Sequence, residues 1–317
     1  MTVRHNIGGE HLIGVLCGGP SREREISIRS GEAVHRALQA SGLPAHLLVL
    51  SHEVQSILPE IRSVPIDCAF IAMHGRFGED GTLQAMLEEM GIPYTGSSPE
   101  ACRLGMDKVA SRRRWALAGL PVPRWHLVNG ETCLNTAKAL GFPLVIKPIL
   151  EGSSFGVQIV DSFEELADAM EMLQAFGKEW ILEEYLSGPE LTVGILEDRP
   201  LPVIQIVPRR RFYDTVAKYT PGMTEYLVPA PLDAATTERV QAIALKAHEV
   251  LGCRSFGRVD LILAHGKDPV LLELNPIPGL TQTSLLPKAA QAAGVSFPEL
   301  CRKMLASAWK DRRLNVG

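Results

Sequence analysis

Leu271-Leu272-Glu273-Leu274-Asn275-Pro276-Ile277-Pro278-Gly279-Leu280-Thr281 is the stretch on which the reading of this chain turns. An apolar, strand-like run carries Glu273 and Asn275 one alternation apart, so both project from the same face. It then breaks into a loop of prolines and glycine. Upstream, residues 256–263 form a second strand-like run in which Arg258 and Asp260 are likewise cofacial. If the two runs are neighbours in a sheet, two carboxylates, an amide and a guanidinium converge. That donor set suits Mg²⁺ bridged to a nucleotide's phosphates, because Mg²⁺ takes oxygen ligands and borrows some from its substrate.

The chain has 317 residues, 46% hydrophobic and 21% charged, with a net charge of −4. That is room for two or three compact domains and no global basic field to draw in nucleic acid. Arg112-Arg113-Arg114 and Arg209-Arg210-Arg211 read as solvated faces. No apolar stretch approaches the ~20 residues needed to cross a bilayer. Residues 1–10 lack the apolar core of a signal peptide, so a cytoplasmic protein is expected. The 6 cysteines, Cys17, Cys68, Cys102, Cys133, Cys253 and Cys301, form no CxxC pair. This argues against zinc and against a disulfide framework, and leaves buried thiols.

Residues 12–17 are a short apolar strand running through Gly18-Gly19 into a helix. Ile26, Ala33, Val34, Ala37 and Leu38 share one face of that helix, and Gly42 stops it. Strands at 45–50 and 68–73 alternate with helices, one of them faced by Leu83, Met86, Leu87 and Met90. The alternation predicts a small parallel α/β domain. After about residue 105 the pattern changes. A helix led by Asp107 ends at Gly119, and residues 142–149 are strand-like. Ser162-Phe163-Glu164-Glu165 is a capping box for a helix faced by Leu166, Ala169, Met170 and Leu173. Residues 180–185, 191–196 and 203–207 read as antiparallel strands. Residues 209–226 show no period and are long for a structureless connection, which marks a functional loop or lid. Asp233 caps a further helix with Val240, Ile243, Ala247 and Val250 inward.

Four polar segments interrupt these elements. Gly18-Gly19-Pro20-Ser21-Arg22-Glu23 precedes a helix N-terminus, where backbone N–H groups can meet an anion; alone it is equally a plain strand–helix turn. His74-Gly75-Arg76-Phe77-Gly78-Glu79-Asp80-Gly81 closes another strand, at the sheet edge where open α/β folds bind ligands. Lys147-Pro148 ends a strand ahead of Glu151-Gly152-Ser153-Ser154-Phe155-Gly156. A lysine on a strand is a fixed charge for a phosphate, and the glycine- and serine-rich turn behind it supplies donors. Glu183-Glu184-Tyr185-Leu186-Ser187-Gly188-Pro189-Glu190 can supply an apolar wall, backbone donors and a carboxylate for an adenosine, or be a surface turn.

In this order the pieces resemble the ATP-grasp superfamily, and within it the D-alanine–D-alanine ligase family. The resemblance covers about residues 12–286. It rests on GGPSREREIS, HGRFGEDGTLQ, MDK, KPxxEGSSFGV, EEYLSGPE, the FYDxxAKY loop, GRVD and ELNPIPGLTQTSLLP. It implies an α/β fold of three domains. Residues 1–105 would bind substrate on a parallel sheet. Residues 106–190 and 191–317 would hold ATP between mixed or antiparallel sheets, with a lid at about 209–226.

The implied reaction is ATP-dependent ligation of two D-alanines through an acyl phosphate, for peptidoglycan precursors. By motif, Lys108, Lys147 and Ser154 would engage the phosphates of ATP, and Glu183, Glu184, Leu186 and Glu190 the adenosine. Asp260, Glu273 and Asn275 would hold two Mg²⁺, for which Mn²⁺ could substitute. Glu23 would take the first D-alanine's ammonium, with His74 close by. Arg258 and the Gly279 N–H would stabilise the oxyanion. Ser284, Leu285 and Lys218 would hold the second D-alanine. Ser153, Tyr219 and Glu23 would tie the lid to the first domain, and a homodimer is expected.

Two features depart from the family pattern. Pro276-Ile277 stands where a threonine and a small residue are frequent, removing an N–H and a hydroxyl next to the metal ligands. Arg209-Arg210-Arg211 makes the lid entrance more basic. Two other activities compete: a D-alanyl-D-lactate ligase, and a nucleotide-binding protein without catalysis. A dinucleotide dehydrogenase rests on the Gly18-Gly19 turn alone and lacks the fingerprint.

Overall fold

A computed structural model describes residues 11–220 and 222–312; the side chains of Tyr219 and of residues 310–312 also lie outside the described set. Among the described residues the strands form three sheets. In the first, β1 (Ile13–Gly18) runs parallel between β2 (Ala45–Leu50) and β3 (Cys68–Ile71). β1 and β3 are buried along their whole length, as apolar runs covered on both faces must be. α1 (Arg24–Ala40), α2 (Val54–Arg62) and α3 (Thr82–Glu89) complete this unit.

The buried face of α1 combines Val34, Ala37 and Leu38 with Ser27, Ser30 and Gly31, whereas Ile26 and Ala33 are only partly covered. Hydroxyls are tolerated there because they close backbone hydrogen bonds. Ser27 Oγ accepts the Gly18 N–H and donates to the Ala72 carbonyl, each at 2.8 Å. It thereby ties the ends of two strands where their loops turn into the site.

α4 (Pro99–Met106) and α5 (Lys108–Leu117) break at Asp107. The Asp107 carboxylate accepts the N–H groups of Val109 and Ala110 at 2.9 Å, satisfying donors that a helix start leaves open. The second sheet is antiparallel, in the order β4 (Trp125–Asn129), β7, β5 (Leu144–Pro148), β6 (Gln158–Val160), with β7 spanning Glu179–Glu184. α6 (Cys133–Leu140) and α7 (Phe163–Leu173) pack on it around Leu144, Ile146, Leu166 and Leu173. The capping box at α7 is half as predicted. Ser162 Oγ accepts the Glu165 N–H at 3.2 Å, but the Glu165 carboxylate returns to Asp161 N at 2.8 Å.

The third sheet contains β8 (Glu190–Leu196), β9 (Arg199–Pro200), β10 (Ile204–Pro208), β11 (Thr224–Leu227), β12 (Phe256–Ala264) and β13 (Asp268–Asn275). Its order is β11-β10-β8-β12-β13, with β9 on β8. Residues 209–226 are more ordered than their lack of period predicts. They contain α8 (Thr215–Tyr219) and most of β11. Asp214 caps α8, accepting the Ala217 N–H at 2.8 Å. Elements this short carry too few residues for a period to register.

α9 (Ala234–Val250) covers one face of this sheet through Val240, Ala244 and Ala247. α10 (Leu285–Ala292) and α11 (Phe297–Arg312) build a core shared with the first sheet, where Ile13, Val15 and Phe70 meet Leu286, Leu300 and Met304. Gly194 permits the close approach of α10; a Cβ there would lie 2.9 Å from Leu286 Cδ1. All 6 cysteines are buried free thiols. No helix among the described residues is long and apolar enough to cross a membrane.

Candidate active site

β12 and β13 are adjacent, and their register sets Asp260 opposite Glu273 and Arg258 opposite Asn275. Arg258 grips Asp260 with both edges of its fork, Nε to Oδ1 at 2.8 Å and Nη2 to Oδ2 at 2.7 Å. Thr192 Oγ1 on β8 donates to the same Oδ1 at 2.6 Å. Burial opposes the Arg258 charge, but the Asp260 carboxylate outweighs it and raises the guanidinium's pKa further. Arg258 therefore stays cationic. Asn275 Oδ1 accepts the Ile277 N–H at 3.0 Å, so the residue after Pro276 supplies a backbone donor that proline lacks.

Cations gather around this acidic pair. Lys108 Nζ lies 3.8 Å from Glu273 Oε2 and donates to the Glu151 carbonyl at 2.6 Å. Burial alone would raise Glu273, but Lys108, then Lys218, Lys147 and Arg258, hold it down at about 2. Glu190 behaves oppositely. Burial pushes it up to about 7, with Lys218 opposing and Asp260 and Glu273 adding. Lys147, on β5, lies 2.7 Å from Glu183 Oε1 on β7, and Arg112 pairs with the other oxygen of the same carboxylate. Burial and the Arg112 charge lower the Lys147 ammonium to about 8.

Arg112 corrects the expectation of a solvated basic run. Arg113 and Arg114 are exposed, but Arg112 is fully buried. α5 packs on α9, with Trp115 Nε1 donating to the Ala247 carbonyl at 2.9 Å. Arg112, one helical turn after Lys108, faces into the protein toward Glu183. The four-residue spacing from Lys108 was the available signal. The exposed Arg210 and Arg211 pair with Asp214 and Asp161, Arg211 Nη2 at 2.7 Å, which fastens the lid to α7's approach.

Two cavities meet here. The smaller, of about 140 Å³, lies between the second and third sheets, with Val145, Leu186, Ile262 and Leu272 as apolar walls. Lys147, Ser154, Glu183, Glu184, Glu190 and Asp260 also line it. Glu184 is held at its rim by Arg124, whose N–H and Nε donate at 2.8 and 2.7 Å. The larger cavity, of about 450 Å³, is lined by Glu23, His74, Arg258, Asn275, Gly279, Ser284 and Leu285. Lys108, Glu151, Tyr213, Lys218 and Glu273 line both.

Glu23 stands at the far end of the larger cavity. Ser153 Oγ donates to its carboxylate, which joins the loop after β5 to the first sheet. Gly75 has φ +73° and a Cβ there would overlap Ser21 Oγ and lie 2.6 Å from Glu23 Oε2. Only glycine fits that backbone and leaves Glu23 its place. The lid seals the same loop. Thr215 Oγ1 donates to Ser153 O at 3.0 Å, Ser154 Oγ to Tyr213 O at 3.1 Å, and Lys218 Nζ to Ser154 Oγ at 2.9 Å. The expected third member of the Ser153–Glu23 set, the Tyr219 side chain, lies outside the described residues.

His74 borders the larger cavity but is almost wholly buried. Its Nε2 lies 2.8 Å from Ser30 Oγ, and its Nδ1 3.1 Å from Ile277 O and 3.3 Å from Glu79 Oε1. Burial favours the neutral ring, but the hydrogen bond and charge of Glu79 outweigh it and raise its pKa. Ser30 Oγ also accepts the Leu280 N–H at 3.2 Å. His74, Ser30 and Glu79 thus brace the 276–280 loop, a role for Ser30 and Glu79 that no local pattern announces. Ser284 begins α10, but its Oγ accepts the Thr281 N–H at 3.1 Å instead of capping the helix. Ser284 and Leu285, at the start of α10, line the larger cavity, and a helix start favours an anion.

Comparison with known proteins agrees with this geometry. The family described as D-ala D-ala ligase C-terminus matches residues 115–306, and D-ala D-ala ligase N-terminus matches residues 52–97. The D-alanine–D-alanine ligase of Trichlorobacter lovleyi is 45% identical over 298 residues, 93% of this chain and 94% of the relative. That of Geobacter sulfurreducens is 44% identical, with 93% of each chain covered. Among solved structures, D-alanine–D-alanine ligase from Bacillus anthracis complexed with ATP superposes with a TM-score of 0.84 at 32% identity, covering 96% of this chain and 99% of that one. The VanG D-Ala:D-Ser ligase of Enterococcus faecalis gives 0.81 at 29% identity, covering 94% and 99%.

Proposed function

This chain belongs to the D-alanine–D-alanine ligase family, and on that premise we propose which of its residues carry the work. The reaction is the ATP-dependent joining of two D-alanines, which serves peptidoglycan synthesis. One observation carries the assignment of residues: Glu273 and Lys108 stand at the junction of the two cavities. A nucleotide in the smaller cleft would present its terminal phosphate there to a carboxylate held in the larger one.

Adenosine lies against Leu186 and its apolar neighbours, with Glu183, Glu184 and Glu190 at the cleft's polar edge. Lys108, Lys147 and Ser154 receive the phosphates. Asp260, Glu273 and Asn275 fit Mg²⁺, with Mn²⁺ as a substitute. The fit rests on the donor set: two carboxylates and an amide oxygen at one sheet end. Such a set leaves positions in the shell of Mg²⁺ that substrate phosphates would fill. Glu273, held ionised at about 2, is ready as a ligand at neutral pH. When bound, two such ions would neutralise phosphate charge during transfer.

The first D-alanine sets its ammonium against Glu23 and its carboxylate toward the junction, where attack on the γ-phosphate yields an acyl phosphate and ADP. Arg258 lines the larger cavity, and its Nη1 has no hydrogen-bond partner among the described residues. With the Gly279 N–H it stabilises the oxyanion when the second D-alanine's amine attacks and phosphate leaves. The second D-alanine's carboxylate is received at the start of α10 by Ser284 and Leu285, with Lys218 from the lid. The lid, joined through Thr215 to Ser153 and so to Glu23, keeps water from the acyl phosphate. His74 acts at one remove, through the 276–280 loop.

The work divides among residues 1–105 for substrate and residues 106–190 and 191–317 for nucleotide. The buried free thiols support a reducing, cytoplasmic setting. A homodimer follows from the family resemblance, and sedimentation equilibrium checks it. The deciding experiment is coupled ADP release with D-alanine, with and without Mg²⁺, on the parent and Glu273→Gln. We expect release that requires both D-alanine and the cation, and loss of most of it in the variant. Unchanged turnover by Glu273→Gln would remove the metal assignment.

A further inference from the structure

We infer that Arg112 is a positioning residue for nucleotide binding: by neutralising Glu183 from behind, it leaves the charge of Lys147 available to the phosphates of ATP. The inference rests on the reading of Lys147 as a phosphate-binding residue.

The geometry is a line of three charges. Glu183 is buried at the end of β7, with Lys147 2.7 Å from one carboxylate oxygen. Arg112 takes the other oxygen from the side of α5, away from solvent. Among the described residues the Arg112 guanidinium has no hydrogen-bond partner other than this carboxylate. Trp125 is the aromatic ring beneath it, 6.0 Å from ring centroid to guanidinium carbon. A fully buried arginine with a single anionic contact is expensive to fold. Hydrophobic replacement would satisfy packing, so packing does not explain it.

Charge does. Lys147 and Glu183 alone are a neutral pair, and a neutral pair at the phosphate end of the cleft attracts nothing. Adding Arg112 makes the triad cationic by one unit, and Lys147 is the cation of the triad that lines the cleft, beside Glu183. The groups facing Lys147 are Arg112 and Lys108 from α5, Glu183 from β7 and Glu273 from β13. Burial first, then the charges of Arg112 and Lys108, lower its pKa to about 8 against the pull of Glu183. A phosphate arriving there meets an ammonium whose carboxylate partner is shared with Arg112, which leaves charge for a charge-assisted contact.

The test is calorimetric affinity for ATP with Mg²⁺, without D-alanine, from pH 6.5 to 10. In Arg112→Met the triad becomes neutral and ATP should bind about tenfold more weakly, the order expected for one unit charge in a partly desolvated cleft. The alkaline loss of affinity, set by Lys147, should move to higher pH, because Arg112 no longer depresses it. Arg112→Lys should stay within about threefold of the parent. The double variant Arg112→Met/Glu183→Gln restores one net positive charge. Measured with Mg²⁺ and inorganic triphosphate, which carries no adenosine for Glu183 to hold, it should recover most of the affinity lost in Arg112→Met.

A merely structural arginine predicts the reverse: a double variant no better than Arg112→Met, and an alkaline limb that does not move. Either result overturns the inference, as does affinity in Arg112→Met within about twofold of the parent. If Arg112→Met does not fold, Glu183→Gln decides: its alkaline limb should move to lower pH, and an unmoved limb refutes the coupling. Lys147→Ala separates the two levels. If it binds ATP as the parent does, the phosphate reading itself fails. If it is weakened while Arg112→Met is not, only the role of Arg112 fails.

Discussion

Arg258 illustrates how one side chain is prepared for chemistry by its neighbours. Asp260 fixes two of its edges and keeps it charged, and alternation along β12 directs both into the site. Arg258→Ala should lose about 3 kcal/mol of transition-state stabilisation, on the order of 10²-fold in kcat, by analogy with removal of one oxyanion donor. A loss smaller than tenfold would end its assignment to the oxyanion. Gly75 makes the complementary point. Its positive φ and the proximity of Glu23 show a residue whose contribution is the absence of a side chain.

At the scale of elements, the lid is the part whose order is most conditional. α8 is one turn long and depends on its cap, since isolated helices of that length do not persist. The Asp214 carboxylate accepts Ala217 N–H at 2.8 Å and pairs with Arg210 Nε at 2.7 Å. Asp214→Ala should weaken the lid's closed form by about 1 kcal/mol, the usual value of a cap. Amide hydrogen exchange across 209–226 should then speed about fivefold, and the KM for D-alanine should rise with it. Unaltered exchange would mean that the lid's contacts to Ser153 and Ser154 hold it without the cap. The segment's missing period follows from the shortness of α8 and β11, which carry too few residues for a period to register.

At the scale of the molecule, stability and acid sensitivity are linked through His248. This ring is buried on α9 against Gly257, with Nε2 3.4 Å from the Phe256 carbonyl. Burial lowers its pKa below the ordinary value of 6.5, the Phe256 carbonyl opposing. The folded state therefore prefers the neutral ring. That contribution is complete above about pH 6.5 and is lost as pH falls through the folded value. Relative to His248→Gln, the parent should lose stability in urea on going from pH 7.5 to 5. A difference between the two that is flat with pH would show that His248 does not titrate on unfolding. Comparison with the variant is needed because His74, raised by Glu79, contributes with the opposite sign.

That Asp260 and Glu273 converge depended on their strands being neighbours, which the sheet supplies. The strands near residues 12–17, 45–50 and 68–73, the parallel unit they make, and the caps at Asp107 and Asp233 were legible in the sequence. Each depends on local alternation, on turn chemistry or on motifs contiguous along the chain. Those properties survive without knowledge of what lies across the interior. What the tertiary structure alone decided is which charges share an environment. Arg112 reads as one of three solvated arginines until α5 is packed on α9 and its face turns inward. Glu79 and Ser30 read as loop and helix residues until they are found bracing His74 against the 276–280 loop, 203 residues from His74 at Ile277. Partners so distant in sequence leave no periodic trace, because burial and Coulomb interaction act through space and not along the chain.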